Sequence, residues 1–329
     1  MFSKDISGII ASYVITYNLI LLDWIDMNKL NLYLLSGNQN AIDLLKTNQD
    51  KIDWKILSSN CADGAIELLT LNQDKIDWKI LSSNCADGAI KLLTLNQDKI
   101  NWFNLSKNPS AISLLIANKD KIDWNWLSLN CADGAIKLLT EHRDKIRWSS
   151  ISCNPNAIEL LLANPDDLDW SGLSRNPNDL DWSGLSRNPN AIDLLTTNQD
   201  RINWGWLSLN CADGAIKLLT EHQDKICWDR LSLNCADGAI KLLTANQDKI
   251  NWVALSRNTS AIALLNANPD KINWEFLSMN PNAINLLKMN QDKIKWRYIS
   301  YNPNIFTNDI KKYNNDINNL QSVLYLINQ

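Results

Sequence analysis

The chain consists almost entirely of one repeated pattern of 22 or 24 residues, and this repeat constrains the fold more than any other feature. Residues 51–74 read KIDWKILSSNCADGAIELLTLNQD, and residues 75–98 repeat them with Lys91 in place of Glu67. Copies begin at residues 29, 51, 75, 99, 121, 145, 167, 179, 201, 225, 249, 271 and 293. A period of this length predicts a solenoid, in which each unit buries its apolar face against its neighbours. We therefore expect one elongated repeat domain at 29–304, with an N-terminal helical cap at 1–28 and a C-terminal cap at 305–329.

The spacing within a unit predicts two short helices of about nine and six residues. The segment AIELLTLN at 65–72 has apolar residues at i, i+1, i+3 and i+4, which is a helical pattern. In the short units this helix follows Asn108 and Pro109, which suit the N-cap and the first helical position. The second helix begins near Trp54, because the preceding Asp53 is a good N-cap and a leucine follows three residues after the tryptophan. The predicted fold is an all-α solenoid of about 12 units of 22–24 residues.

A leucine-rich-repeat-like α/β horseshoe is the alternative fold. Its L-x-x-L-x-L-x-x-N template places Ile52, Lys55, Leu57 and Asn60 in register, but a lysine does not suit a leucine position. With helices packed 8–10 Å apart, twelve α-solenoid units would form a rod or arc about 100 Å long.

One segment, at 167–190, breaks the regular spacing. Residues 167–178 read DLDWSGLSRNPN, residues 179–190 repeat them without change, and the first copy lacks the AIxLL half. We expect this tandem duplication to disturb the stack and to produce a kink near the middle of the chain.

Composition excludes several classes of function. The net charge of −4 disfavours a non-specific nucleic-acid binder, and two histidines leave little for histidine-based catalysis. Seven cysteines without a CxxC pair form neither a disulfide framework nor a zinc site, and free thiols suit a reducing compartment. The apolar stretch at 9–22 is too short to span a membrane. Catalytic and phosphate-binding motifs are missing too, so we predict a protein that is not an enzyme and has no cofactor, metal or catalytic residue.

The columns that do not vary between units have structural explanations. We interpret the tryptophan at the start of each second helix as a core residue, although an aromatic row could also bind sugars, proline-rich peptides or single-stranded bases. The asparagine six residues after each column tryptophan, with a serine two residues before it, predicts a side chain that caps backbone N–H groups at a turn. The cysteine in C-A-D-G is expected to be a small buried residue. His142 and His222 replace an asparagine at a helix end.

The columns that differ between units are the candidates for function, because a solenoid keeps its core residues and diversifies its surface. The two positions after the tryptophan and the position before the column asparagine vary most. Their aromatic and arginine side chains are typical of protein interfaces, although neutral drift at exposed positions would produce the same variation. The candidate partner-binding face consists of Phe103, Asn104, Lys107, Asn125, Trp126, Arg175, Arg187, Trp206, Asp229, Arg230, Arg257, Glu275, Phe276, Arg297 and Tyr298.

The repeat, NPxAIxLLxxNxDKIxWxxLSxN, resembles a tandem repeat abundant in proteins of giant DNA viruses that infect amoebae. Residues 280–302, NPNAINLLKMNQDKIKWRYISYN, match it closely, and the resemblance covers about residues 29–304. It implies a viral repeat protein in the host cytoplasm and no catalytic residues. We therefore expect a scaffold that binds a host or viral protein; the alternatives are a structural virion component and, more remotely, an RNA-binding solenoid.

Overall fold

Every complete unit folds into two short helices joined by tight turns, as the spacing predicts. The computed structural model describes residues 19–163, 181–312 and 314–318. One helix of each unit begins at the column tryptophan and is called the tryptophan helix. The helix that contains the AIxLL pattern is called the leucine helix. A 3-10 turn at the Q-D-K sequence forms the corner between one leucine helix and the next tryptophan helix.

The tryptophan helices are Leu32–Leu35, Trp54–Leu57, Trp78–Leu81, Trp102–Lys107, Trp124–Leu127, Trp148–Ile151, Trp182–Arg187, Trp204–Leu207, Trp228–Leu231, Trp252–Leu255, Trp274–Met279 and Trp296–Ile299. The leucine helices are Ile42–Lys46, Asp63–Leu71, Asp87–Leu95, Ile112–Ala117, Asp133–Glu141, Ile158–Leu162, Ile192–Thr197, Asp213–Glu221, Asp237–Ala245, Ile262–Asn266 and Ile284–Met289. The corners are 3-10 turns such as Gln49–Lys51 and Gln73–Lys75, and further 3-10 turns such as Pro109–Ala111 lead into the leucine helices of short units. Two strands, β1 (Leu19–Leu21) and β2 (Phe306–Asn308), lie outside the repeat pattern, and residues 310–312 and 314–318 are helical.

The predicted caps account for where these helices begin. Asp53 Oδ1 accepts the backbone N–H of Ile56 at 2.9 Å, so it satisfies one of the free donors at the start of the tryptophan helix. Asn108 caps the turn at Pro109, and its Oδ1 accepts the N–H of Ser110 at 3.0 Å. Asn60 makes the same bond to the N–H two residues later in a C-A-D-G unit, so both unit lengths share one cap geometry.

The helical assignment excludes the strand-and-helix horseshoe for the described units. Residues 54–57, which the leucine-rich template would place in a strand, form an α-helix. The apolar residues of each helix recur with a helical period and face the core. Leu57 on one helix and Leu69 on the other helix of the same unit are therefore both fully buried. The fold is therefore an all-α solenoid.

Adjacent units are joined by the buried serine and asparagine columns. Asn84 Nδ2 donates to the carbonyls of Ser58 and Asn60 in the preceding unit, both at 3.1 Å. Ser58 Oγ accepts the N–H of Asp77 from the next unit at 3.0 Å. Because each unit satisfies polar groups of its neighbour, these two columns form a continuous hydrogen-bonded ladder through the stack.

The ladder does not end at the first or last unit, so the solenoid closes into a ring. Asn38 Nδ2 donates to the carbonyls of Ser300 and Asn302 at 3.2 and 3.0 Å. Ser300 Oγ accepts the N–H of Asn31 at 2.9 Å, which is the bond that every other described unit boundary makes. The prediction of an open rod or arc is therefore wrong, because the last unit stacks directly on the first.

Two short strands reinforce this closure. β1 and β2 pair antiparallel, with Leu21 opposite Phe306 and Leu19 opposite Asn308, and the next N–H, that of Leu22, donates to Ile305 O at 2.9 Å. Within the segment predicted as a helical N-terminal cap, the residues at 19–21 thus form a strand. Residues 1–18, and much of the predicted C-terminal cap, lie outside the described ranges.

The ladder also crosses the irregular segment without interruption. Ser152 Oγ accepts the N–H of Asp181 at 3.2 Å, and Asn188 Nδ2 donates to Ser152 O at 3.3 Å and Asn154 O at 3.1 Å. The second copy of the duplication therefore occupies the place of the next unit. The first copy, 167–178, lies outside the described residues, so the kink stays a prediction, while the ladder bonds continue between the units on either side of it.

The core confirms the helix patterns but corrects two details. Ala65, Ile66 and Leu69 are buried as predicted. The column tryptophans pack against this core, yet most are only half-buried, with Trp148 the exception at 5% exposure. The cysteines of C-A-D-G are exposed rather than buried, because the adjacent asparagine occupies the interior position at the turn.

The glycine of C-A-D-G is required by close packing. A Cβ on Gly134 would lie 2.5 Å from Cγ2 of Ile112 in the preceding unit, far inside van der Waals contact. The first turn of the long leucine helix therefore packs directly on the isoleucine of its neighbour.

Candidate partner-binding face

The three variable positions lie on the outward side of each tryptophan helix. The tryptophan, the leucine three residues later and the serine after it point toward the core, which leaves the first position after the tryptophan directed outward and the second position half-buried in most units. Phe103 is 46% exposed, and Lys107, before the column asparagine, is exposed as well. We call the surface formed by these three positions in all described units the variable face.

Residues of the variable face contact one another across unit boundaries. The rings of Phe103 and Trp126 lie 4.4 Å apart in an edge arrangement, and Lys107 Nζ lies 5.4 Å from the centre of the Trp126 ring. Asn104 Nδ2 donates to Lys79 O of the preceding unit at 2.7 Å. The face thus forms continuous patches instead of isolated side chains.

A second patch is centred on Trp206. The guanidinium carbons of Arg230 and Arg187 lie 4.1 and 5.5 Å from the ring centre, one from the unit after Trp206 and one from the unit before it. Gly205 leaves room for this arrangement, because a Cβ there would lie 3.1 Å from a guanidinium nitrogen of Arg230. Cation–π attraction holds both guanidinium groups against the indole.

A third patch is centred on Phe276, three units after Trp206. Arg257 lies over the Phe276 ring at 4.8 Å. The pKa of Tyr298 is raised above its ordinary value. The main cause is a hydrogen bond to the Glu275 carboxylate, which stabilises the protonated phenol, and partial desolvation adds to it. Between the second and third patches, the Asp229 carboxylate accepts a hydrogen bond from Asn251 Nδ2 at 2.9 Å.

The structure does not join every residue of the predicted face. Asn125 and Arg297 are exposed beside these patches without a side-chain hydrogen bond or ion pair to another described residue. Arg175 lies outside the described residues. The positions that vary between units thus include the residues of three contact patches. They also include exposed residues that belong to none of the patches.

A row of cations over the tryptophans escaped the sequence reasoning. At six unit boundaries the lysine that begins one unit lies over the tryptophan ring of the preceding unit, for example Lys75 over Trp54 at 4.6 Å and Lys249 over Trp228 at 4.9 Å. His142 packs against Trp124 at 5.1 Å between ring centres, consistent with its predicted place at a helix end. The constant spacing between the D-K-I sequence and the tryptophan was a signal for this contact. Only the stacking of neighbouring units shows which tryptophan a given lysine covers.

The described residues contain no group of histidine, cysteine or acidic side chains that could hold a metal ion. All seven cysteines are free, and partial burial raises the pKa of the Cys85 and Cys153 thiols. No helix within the described ranges is both long and apolar enough to cross a membrane.

No protein-family model, curated protein or solved structure matches this chain.

Proposed function

We propose that this protein is a non-enzymatic, ring-shaped scaffold that binds a protein partner through its variable face. The observation that carries the proposal is the formation of aromatic and arginine patches across unit boundaries, centred on Trp126, Trp206 and Phe276. Tryptophan, tyrosine and arginine dominate the binding energy of protein interfaces.

The closed ladder supports the same proposal. Buried hydrogen bonds at every described unit boundary hold neighbouring tryptophan helices in one arrangement, so the face is organised before a partner arrives. Preorganisation lowers the entropic cost of binding. As the resemblance of the repeat implies, the proposal includes a viral protein that meets a host or viral partner in the host cytoplasm.

The test is affinity capture from infected-cell lysate with three forms of the full chain. The face variant carries Trp126→Ala, Trp206→Ala, Arg230→Ala and Phe276→Ala. The control carries Leu71→Ala, Leu95→Ala and Met289→Ala, which remove apolar side chains that are 82%, 81% and 70% exposed on the leucine helices. We expect a protein retained by the wild type and the control and lost by the face variant.

Thermal unfolding of all three forms separates lost binding from lost folding. A second variant, Arg257→Glu with Arg297→Glu, alters only exposed side chains and tests the face if the aromatic variant is unstable. Retention of the same partner by a folded face variant would refute this choice of surface. If capsid proteins are the captured partners and purified particles contain the chain in abundance, the structural virion alternative is supported instead.

A further inference from the structure

We infer that the partner presents an acidic, extended segment to the part of the variable face around Arg187, Arg230 and Arg257. The inference rests on the proposed function and specifies the chemistry of the partner. The whole chain has a net charge of −4, yet the variable positions of the described units carry seven basic side chains and only two acidic ones.

The basic residues of this face are also of an unusual kind. The chain has eight arginines and 24 lysines, and five of the eight arginines occupy variable positions: Arg175, Arg187, Arg230, Arg257 and Arg297. The corners of the ring instead use lysine almost throughout. Arginine differs from lysine because its planar fork can bind a carboxylate through two parallel hydrogen bonds.

These guanidinium groups are positioned by aromatic rings and not by carboxylates. Arg187 and Arg230 lie over Trp206, and Arg257 lies over Phe276. Within the described ranges no carboxylate forms an ion pair with any of the three, whereas four of the corner cations pair with the aspartate before them, as Lys51 does with Asp50 at 3.0 Å. Their N–H donors are therefore available to an acidic ligand.

The spacing of the arginines fits an extended chain. Because Arg187 and Arg230 lie 5.5 and 4.1 Å from the same ring centre, their guanidinium carbons are separated by at most the sum of these distances, 9.6 Å. Side chains at alternate positions of an extended strand point the same way and are about 7 Å apart. Two glutamates separated by one residue can thus reach both arginines at once.

A nucleic acid fits the same surface less well. Binding of single strands relies on open aromatic faces on which bases stack, whereas two guanidinium groups already lie on Trp206. Asp229 and Glu275 lie in the same part of the face and would repel a backbone that carries one charge per nucleotide. A peptide can carry uncharged residues between its carboxylates, so that no carboxylate lies next to Asp229 or Glu275.

The test uses the full chain and a fluorescein-labelled 12-residue peptide of alternating glutamate and alanine, measured by fluorescence anisotropy. A glutamine-and-alanine peptide and a 12-nucleotide oligothymidylate serve as comparison probes. The face variant is Arg187→Gln, Arg230→Gln and Arg257→Gln. The matched control is Lys137→Gln, Lys217→Gln and Lys241→Gln, which removes the same charge from exposed positions of the leucine helices.

We expect the glutamate peptide to bind the wild type and the control equally and the face variant about tenfold more weakly. The glutamine peptide should not bind measurably. Equal loss of binding in the control variant, or tighter binding of oligothymidylate than of the glutamate peptide, would overturn the inference. If the aromatic face variant still loses its cellular partner while the glutamate peptide fails to bind, the acidic-partner inference alone is refuted and the scaffold proposal stands.

Discussion

Closure of the ring makes a quantitative prediction for Asn38, the column asparagine of the first unit. Its side chain is 2% exposed; it donates to Ser300 O and Asn302 O and accepts the N–H of Asn40 at 3.0 Å. At roughly 1 kcal/mol for each buried hydrogen bond, Asn38→Ala should lower the free energy of unfolding by about 3 kcal/mol. If the solenoid were open, only the local bond to Asn40 would be lost, at about 1 kcal/mol.

Two matched variants calibrate this measurement. Asn130, in the middle of the chain, makes the corresponding three bonds to Ser106 O, Asn108 O and the N–H of Ala132. Asn130→Ala should therefore cost about the same 3 kcal/mol in an open or a closed solenoid. Asn125→Ala, at an exposed position, should change stability by less than about 0.5 kcal/mol.

The assay is urea unfolding followed by tryptophan fluorescence, with the slope of the transition compared among the four proteins. The result that supports the ring is an equal loss for Asn38→Ala and Asn130→Ala. A loss of about 1 kcal/mol for Asn38→Ala beside about 3 kcal/mol for Asn130→Ala would refute closure in solution. A small loss in both would refute the assignment of stability to the asparagine ladder.

Three further predictions follow from local geometry. Gly134→Ala should destabilise the protein by about 1–3 kcal/mol, because the added methyl group overlaps the preceding unit; an unchanged urea midpoint would contradict this packing. Glu275→Gln should lower the pKa of Tyr298 toward its ordinary value, since the neutral amide no longer favours the protonated phenol; ultraviolet titration measures it, and an unchanged pKa would exclude the hydrogen bond. A single-cysteine variant that keeps the exposed Cys85 should react with a thiol reagent more slowly in the folded state than in urea at the same near-neutral pH, because the raised pKa of the folded state leaves less thiolate; equal rates in the two states would contradict the shift.

Sequence patterns predict the structure correctly where the interacting residues are close together in the chain. The cap at Asp53 acts on an N–H three residues later, and the helical pattern at 65–72 concerns neighbours on one helix face. Such relations repeat in every unit and can be read from spacing. The all-α solenoid and the excluded horseshoe follow from them.

Sequence patterns predict the wrong environment for residues whose surroundings are set by another unit. The exposed Cys61 was expected to be buried, because its small size and constant position suggested the interior that Asn60 occupies. The lysines that lie over several of the column tryptophans were missed for the same reason: Lys75 and Trp54, for example, belong to different units. Differences between units identified the positions of the variable face from the sequence. Only the stacking of neighbouring units in the structure shows that Arg187 and Arg230 lie on the same indole.

By itself, the sequence determined the repeat, the two helices of each unit, their caps and the positions free to vary, because these depend on residues within a few positions of one another. Only the tertiary structure decided that the stack returns to its start, with Asn38 bonded to Asn302 and β1 paired with β2. Closure depends on the rotation between neighbouring units, about 30° when one turn is shared among twelve. A difference of a few degrees per unit would leave an open arc or a spiral built from the same helices, and no local pattern encodes that angle.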